Sequence, residues 1–360
     1  MGSASHARST VVALALDGAV RNVKRLLLRL LLQPTWRLED ELAARPGVVH
    51  AGPSAPKRIE IIAQSMQVEG FHRPMPGFPR SLPQVVSSAR NIRASLREVD
   101  DNPTRPRTSM PETERAALET FIRSTGVDTF GYTAVHPDLV FQGKAVIHPA
   151  AIVLAMEMDR ARMDAAPSPD SAVMVHETYN RLGIAANTIA RHLRALGYSA
   201  QAGHPLGGPA LYPPLAQAAG LGWQGMHGLL ITPEFGPRVR LAAVFVSIED
   251  LPTTDSDEHA WIEGFCRGCA KCVRECPPAA IRPEPIRRES GRVTCIEADR
   301  CLPYFVRHNG CSLCIKVCPF HQRDYGWLKT RWERHAVRSA ELRANPPASF
   351  PEHLRRPPVA

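Results

Sequence analysis

Two absences frame the reading. No cysteine occurs in the first 265 residues of this 360-residue chain, and all nine lie between Cys266 and Cys318. A secreted, disulfide-stapled protein of this length would spread its bridges more widely, so the clustering points to metal. Long apolar runs are also missing. Ala200 to Pro233 is free of Asp, Glu, Lys and Arg, but seven glycines and repeated prolines break it, which excludes a membrane span there. Residues 1–10 lack a basic start, a twin-arginine pair and a clean apolar core before a small-residue cleavage site. Together with the thiols, this places the protein in a reducing cytoplasm. Acidic residues are short by nine against Lys and Arg, giving a net charge of +9 that favours acidic partners.

Proline is plentiful, 33 residues against a usual share of ~5%, and predicts many loops. Hydrophobic residues at 44% exclude a wholly disordered chain. Val11 to Leu32 reads as an amphipathic helix bent near Gly18, with Arg21, Arg25 and Arg29 beside a leucine face, ended by Pro34. It is read as packing on the body rather than on a membrane surface. Residues 46–108 read as extended wrapping segments with one short helix near Leu82 to Leu96. Ser109 reads as the N-cap of a helix ending near Gly126. Strand-like runs follow at Thr129–Val135, Ala145–Met158, Tyr198–Ala202, Leu229–Thr232 and Val239–Ile248, with a long helix at Asp170–Leu196. Helix and strand alternate, which predicts a mixed α/β (α+β) layer architecture. The expected division is 1–108 wrapping segment, 109–255 α/β domain, 256–330 ferredoxin-like domain and 331–360 tail.

The cysteines carry the strongest signal. Cys266-x2-Cys269-x2-Cys272-x3-Cys276-Pro277 has the spacing of a bacterial ferredoxin motif. Cys301-x9-Cys311-x2-Cys314-x3-Cys318-Pro319 is its partner. In two-cluster ferredoxins the fourth cysteine of each motif serves the other cluster. The predicted wiring therefore crosses: Cys266, Cys269, Cys272 and Cys318 for one [4Fe–4S] cluster, and Cys276, Cys301, Cys311 and Cys314 for the second. Structural zinc sites use paired knuckles instead of three cysteines in one run. Cys295 is left over and competes with Cys301 as a ligand. Gly220, Gly222, Gly225, Met226, His227 and Gly228 form a glycine-rich stretch that reads either as a plain turn or as a loop whose backbone approaches a flat cofactor.

The runs GFCRGCAKCVRECPPAAI and RCLPYFVRHNGCSLCIKVCPF resemble the iron–sulfur domain of corrinoid-dependent reductive dehalogenases and of their relatives, the epoxyqueuosine reductases. The likeness continues through HPAAIVLAMEMD, HETYNRLGIAANTIARHLRALGYSAQA and AGLGWQGMHGLLITPEFGPRVRLAAVFV, covering about Val146 to Phe320. It favours Cys301 over Cys295. It implies a corrinoid (cobalamin) in a nitroreductase-like domain, with cobalt not held by a protein histidine. The chain agrees, since the nearest approach to Asp-x-His-x-x-Gly, at Asp257 and His259, ends in Ile262. The resemblance further implies single electrons relayed through two clusters, an acidic ferredoxin- or flavodoxin-type donor, and a small organohalide substrate. It implies proton donation by Tyr179 in HETYNRLG, with Arg240 in GPRVR as its cationic partner. A cation beside a phenol favours the phenolate and makes the hydroxyl a better acid. Without the resemblance, Tyr179 reads as a packing residue and Arg240 as a surface charge.

Two departures are informative. Neither the twin-arginine leader of the respiratory members nor an appended flavin module is evident. A tRNA-modifying epoxyqueuosine reductase would suit the positive charge. However, HPLGGPALYPPLA offers no acidic catalytic residue, and 42 residues after Cys318 are too few for a helical repeat array. Nucleic acid is therefore not the expected partner. A third reading is a non-enzymatic electron carrier that lacks the corrinoid.

Overall fold

A computed structural model describes residues 35–58, 78–253 and 257–344. The helix expected over Val11–Leu32 lies outside them. The centre is a four-stranded sheet of β1 (Thr129–Ala134), β2 (Ala150–Glu157), β3 (Ala200–Gly203) and β4 (Val239–Val246). Its spatial order is β1-β2-β4-β3, and every pairing is antiparallel. The expected mixture of helix and sheet is therefore present.

Both inner strands are apolar apart from Glu157 and Arg240 near one end, because both faces of the sheet are covered. On β2, Ile152, Leu154 and Met156 point to one face, and Ala151, Val153 and Ala155 to the other. This is the two-residue alternation of extended chain. The first face is covered by α2 (Glu112–Ser124) and α3 (Pro169–Ala195), through Leu118, Ile122, Leu182, Ile189 and Leu193. The second packs on α4 (Tyr212–Ala218), through Tyr212, Leu215 and Ala216.

The long helix α3 starts sharply for a local reason. Ser168 Oγ accepts from the Ser171 amide at 3.1 Å, and Ser171 Oγ accepts from the Ser168 amide at 3.0 Å. This reciprocal box satisfies two N–H groups that the first turn leaves unpaired, and Pro169 has no N–H to leave unpaired.

Several boundaries differ from expectation. The short helix of the wrapping segment is α1 (Phe78–Arg97), 20 residues long and running through Pro83. Residues 35–43 are also helical. Ser109 is not a cap. The N-cap of α2 is Pro111, and Ser109 Oγ instead donates to Asp250 at 2.5 Å. The apolar run 145–158 is split, because Ala145–Val146 pairs with Val49–His50 while the rest joins the central sheet.

The cysteine-bearing part follows. It comprises α5 (Trp261–Cys269), a hairpin of β5 (Ile281–Arg287) and β6 (Val293–Ile296), α6 (Ala298–Arg307) and the closing helix α7 (Tyr325–Ala344). No helix among the described residues is long and apolar enough to cross a membrane.

Candidate functional site

Tyr179 and Arg240, 61 positions apart, meet in space. Tyr179 is half-buried on α3, and Arg240 stands near the start of β4, in register with Met156 of β2. The Arg240 guanidinium carbon lies 4.6 Å from the centre of the Tyr179 ring. The guanidinium therefore rides on the ring face, a cation–π contact. Arg240 Nε is buried and has no hydrogen-bond partner within the protein. One turn before Tyr179, His176 belongs to the same group. Burial lowers its pKa, and the Arg240 charge lowers it further. Sequence reasoning missed His176, although its spacing of three from Tyr179 puts both on one helix face.

The thiols fall into two sets that act on one another. Burial pushes Cys266 up to about 12, with Cys272, Cys269 and Cys295 adding to the effect. Burial drives Cys318 well above the ordinary thiol range, reinforced by Cys266, Cys272 and Cys269. Cys314 is pushed up to about 12 by burial, then by Cys311, Cys272, Cys301 and Cys276. Cys301 is raised by burial and then by Cys276 and Cys311. Buried thiols crowded this way resist ionising until a cation joins them, which is the condition a metal cluster relieves. Among the described residues no three His, Cys, Asp or Glu side chains converge as they would around one ion. A four-iron cubane asks for something different, since its cysteine thiolates ligate a whole cluster.

The backbone around the thiols bends in unusual ways. Asn309, Gly310, Cys311 and Ser312 form an unbroken run of positive φ, from 41° to 76°. Ala270, next to Cys269, and Ala279, three residues after Cys276, have φ of 44° and 46°. Each non-glycine residue held there costs roughly 1–2 kcal/mol. One return is a hydrogen bond to sulfur, from the Ala280 amide to Cys276 Sγ at 3.3 Å.

The glycine-rich stretch lies against the first thiol set. The Met226 amide donates toward Cys266, and Cys295 Sγ approaches the Gly225 carbonyl at 3.8 Å. Gly222 has φ +148°, and a side chain there would strike the backbone of Ile231. At Gly228, with φ +74°, a Cβ would meet that of Cys295 at 3.2 Å. Close packing against the protein itself accounts for these two glycines. The spacing Gly220-x-Gly222-x-x-Gly225 is formally that of a dinucleotide fingerprint. It runs from α4 into a two-residue strand at Trp223–Gln224, so no following helix offers its N-terminus to a phosphate. His227 is the residue that packing leaves unexplained. Its Nδ1 accepts from the Leu229 amide at 3.2 Å, which puts the proton of the neutral ring on Nε2. Nε2 is buried and unpartnered, and burial lowers the His227 pKa to about 4.

A polar latch joins the cysteine part to the sheet. Buried Arg238 donates to Glu157 Oε1 at 2.8 Å and reaches His321 Nδ1 at 3.3 Å. His321 Nε2 meets Asp164 Oδ1 at 2.6 Å. Beside it Gly236, at φ +57°, lies so close to Phe320 that a Cβ would strike that residue's carbonyl oxygen. Phe320 is two residues past Cys318. Met174 and Val175 of α3 pack with Cys314 and Ile315. The second cysteine motif is thus seated on the body that carries Tyr179 and Arg240.

The site is that of a two-cluster iron–sulfur protein with a mixed helix and sheet body. Residues 265–322 match the 4Fe-4S dicluster domain family. The chain is 33% identical over 221 residues to the tetrachloroethene reductive dehalogenase of Desulfitobacterium hafniense, covering 57% of this chain and 39% of that one. It is 30% identical over 138 residues to the epoxyqueuosine reductase of Gloeobacter violaceus, covering 33% and 39%. Its fold is similar to that of the catabolic reductive dehalogenase NpRdhA, with a TM-score of 0.56 at 22% identity over 71% of this chain and 40% of the other. Reductive dehalogenases are therefore homologues of this chain, as the sequence motifs implied. The chain spans about two fifths of the length of these curated relatives.

Proposed function

We propose that this chain is an iron–sulfur, corrinoid-dependent oxidoreductase of reductive dehalogenase type, acting on a small organohalide in a reducing cytoplasm. The observation that carries the reading is the stack of Arg240 on Tyr179 at 4.6 Å, in a chain homologous to dehalogenases. The proposal includes a nitroreductase-like corrinoid domain over 109–255, a ferredoxin-like domain over 256–330, and flanking segments 1–108 and 331–360. Cys266, Cys269, Cys272 and Cys318 would hold one cluster, and Cys276, Cys301, Cys311 and Cys314 the other. The effect of Cys266, Cys272 and Cys269 on Cys318, and of Cys276 and Cys311 on Cys301, supports that wiring.

The residues present fit the corrinoid as well. Arg240 Nε, beside Tyr179, and His227 Nε2, in the glycine-rich loop, are among ten buried side-chain atoms without a protein partner in the described residues, and a buried polar atom normally has one. They are the atoms we assign to face it, with the 220–228 loop supplying the His227 edge. When bound, the corrinoid supplies low-valent cobalt able to attack a carbon–halogen bond, and the clusters supply single electrons. The chain's own residues have narrower tasks. Tyr179 holds a proton at its phenolic oxygen for the carbon that loses halide. Arg240 fixes the ring from its face and stabilises the phenolate left behind. Burial and then the Arg240 charge disfavour the charged form of His176 beside them.

The test is Tyr179→Phe, which removes the acidic hydrogen and keeps the ring under Arg240. Turnover of an aryl halide should fall by about 10²–10⁴, the usual worth of a positioned acid, with cobalt and iron contents unchanged. A variant that loses metal together with activity would assign Tyr179 to packing.

A further inference from the structure

We propose that the exposed face of α7 is the docking site of an acidic flavodoxin-type electron donor. This rests on the oxidoreductase reading and adds where the electron enters. Four large apolar side chains stand exposed among the described residues, and Trp327 is the one aromatic, 47% exposed. The Arg323 guanidinium lies 5.8 Å from its ring centre and that of Arg331 4.9 Å. Trp327 and Arg331 are four residues apart on α7 and share one stripe of helix face, and Arg323, extended just before the helix, reaches the same ring from the other side. Tryptophan and arginine are the residue types that dominate binding energy at protein interfaces.

The opposite face of α7 shows why this surface suits electron entry. Leu328 is buried with Cys318, Phe320 and Ile262. Trp332 rests on Gly264 and 6.2 Å from the Phe265 ring centre, on the helix that carries Cys266 and Cys269. The stripe and the first thiol set are thus on two sides of one helix, which is about 10 Å across. A flavin seated on Trp327 would be one helix thickness from the thiols.

Charge selects the partner. From 323 to 334, Arg323, Lys329, Arg331 and Arg334 outnumber Asp324 and Glu333, on a chain of net charge +9. Arg274 is exposed on the neighbouring cysteine segment, as is Arg267, which pairs with Glu263. Such a surface steers an acidic protein and raises its on-rate most at low salt. In the transfer, the anionic flavin hydroquinone loses one electron and becomes the neutral semiquinone, and one oxidised cluster is reduced by one.

The experiment uses the full chain with its clusters and a flavodoxin as probe. Binding is followed by calorimetry, and cluster bleaching by stopped flow, from low salt to 1 M. Wild-type affinity should fall steeply with salt. Arg323→Glu/Arg331→Glu should weaken binding at least tenfold at low salt, and the difference should vanish near 1 M, where the screening length is about 3 Å. Trp327→Ala should weaken it about tenfold at every salt concentration. Reduction by methyl viologen radical, which needs no docking, should stay within about twofold. Arg37→Glu/Arg97→Glu, the same charge change far from the cysteines, should bind as wild type. Equal loss in that control pair would overturn the proposal, as would salt-independent wild-type binding. So would loss of tRNA binding in the stripe variants with flavodoxin binding intact, since that assigns the face to nucleic acid. Cluster bleaching without dehalogenation would sink the functional reading and leave the docking site standing.

Discussion

Replacing Gly236 with alanine should loosen the seat of the cysteine part while leaving the sheet intact. Two costs arise. At φ +57°, any side chain forces the left-handed region, at about 1–2 kcal/mol. The added Cβ would also meet the backbone of Phe320, its carbonyl carbon at 2.7 Å and its oxygen nearer still. Both atoms are backbone and cannot rotate aside, so the overpacking cost is about 1–3 kcal/mol. The sum is about 2–5 kcal/mol. Gly47 provides the control. Its φ is +76°, but a Cβ there meets nothing within 4 Å, so Gly47→Ala carries the conformational cost alone. At about 2–4 °C per kcal/mol for a domain of 150–250 residues, Gly236→Ala should lower Tm by roughly 4–20 °C and Gly47→Ala by roughly 2–8 °C. Calorimetric scans and iron analysis on both variants decide the matter, with iron lost only from Gly236→Ala. Equal Tm shifts and full iron in both would refute the reasoning, since the turn at Gly236 would then not be holding the segment after Cys318.

Three further outcomes are expected. Cys318→Ser should disturb the cluster bound chiefly by the first motif and spare the other, as read by EPR; damage confined to the second-motif cluster would contradict the crossed wiring. Asp250, whose carboxyl is held below the usual range by Ser109 Oγ and then by the Met110 amide, gives stability that is full above pH ~4 and lost as pH falls through its lower folded value. Asp250→Asn should flatten that part of an acid-unfolding curve, and an unchanged curve would show that the contact gives nothing. Leu182→Ala, in the core between α3 and the sheet, should cost about 2–5 kcal/mol in denaturant melts, without changing iron content.

Much of the body was legible from local pattern. The long helix was found from its apolar spacing, and the strands from runs such as Val239–Ile248. Where the expectation slipped, a distant partner had overruled a local signal. Ser109 followed by Pro111 and Glu112 looks like a helix start, but its hydroxyl is taken by Asp250, 141 positions away. The helix expected near Leu82 to Leu96 is longer, because α1 runs through Pro83 and packs Asn91 against Asn180 of α3 at 3.2 Å. The cysteine spacing carried its own chemistry. The meeting of Tyr179 with Arg240 had no periodic signature and was legible only through resemblance. The latch of Glu157, Arg238, His321 and Asp164 was not legible at all, because ion pairs across 80 or more positions leave no trace in local pattern.

The run of left-handed residues from Asn309 to Ser312 has a consequence for how the protein is made. A newly synthesised chain has little reason to hold four successive residues in that conformation. The body needs no metal to bury its two apolar layers, so it can form first. The segment around Cys311 would then gain most from iron and sulfide, whose binding offsets the distortion. Before that moment it would be the cheapest part of the molecule to open, and the part a protease finds first. Biogenesis would thus run from the sheet outward, with cofactor insertion as its last and quality-determining step.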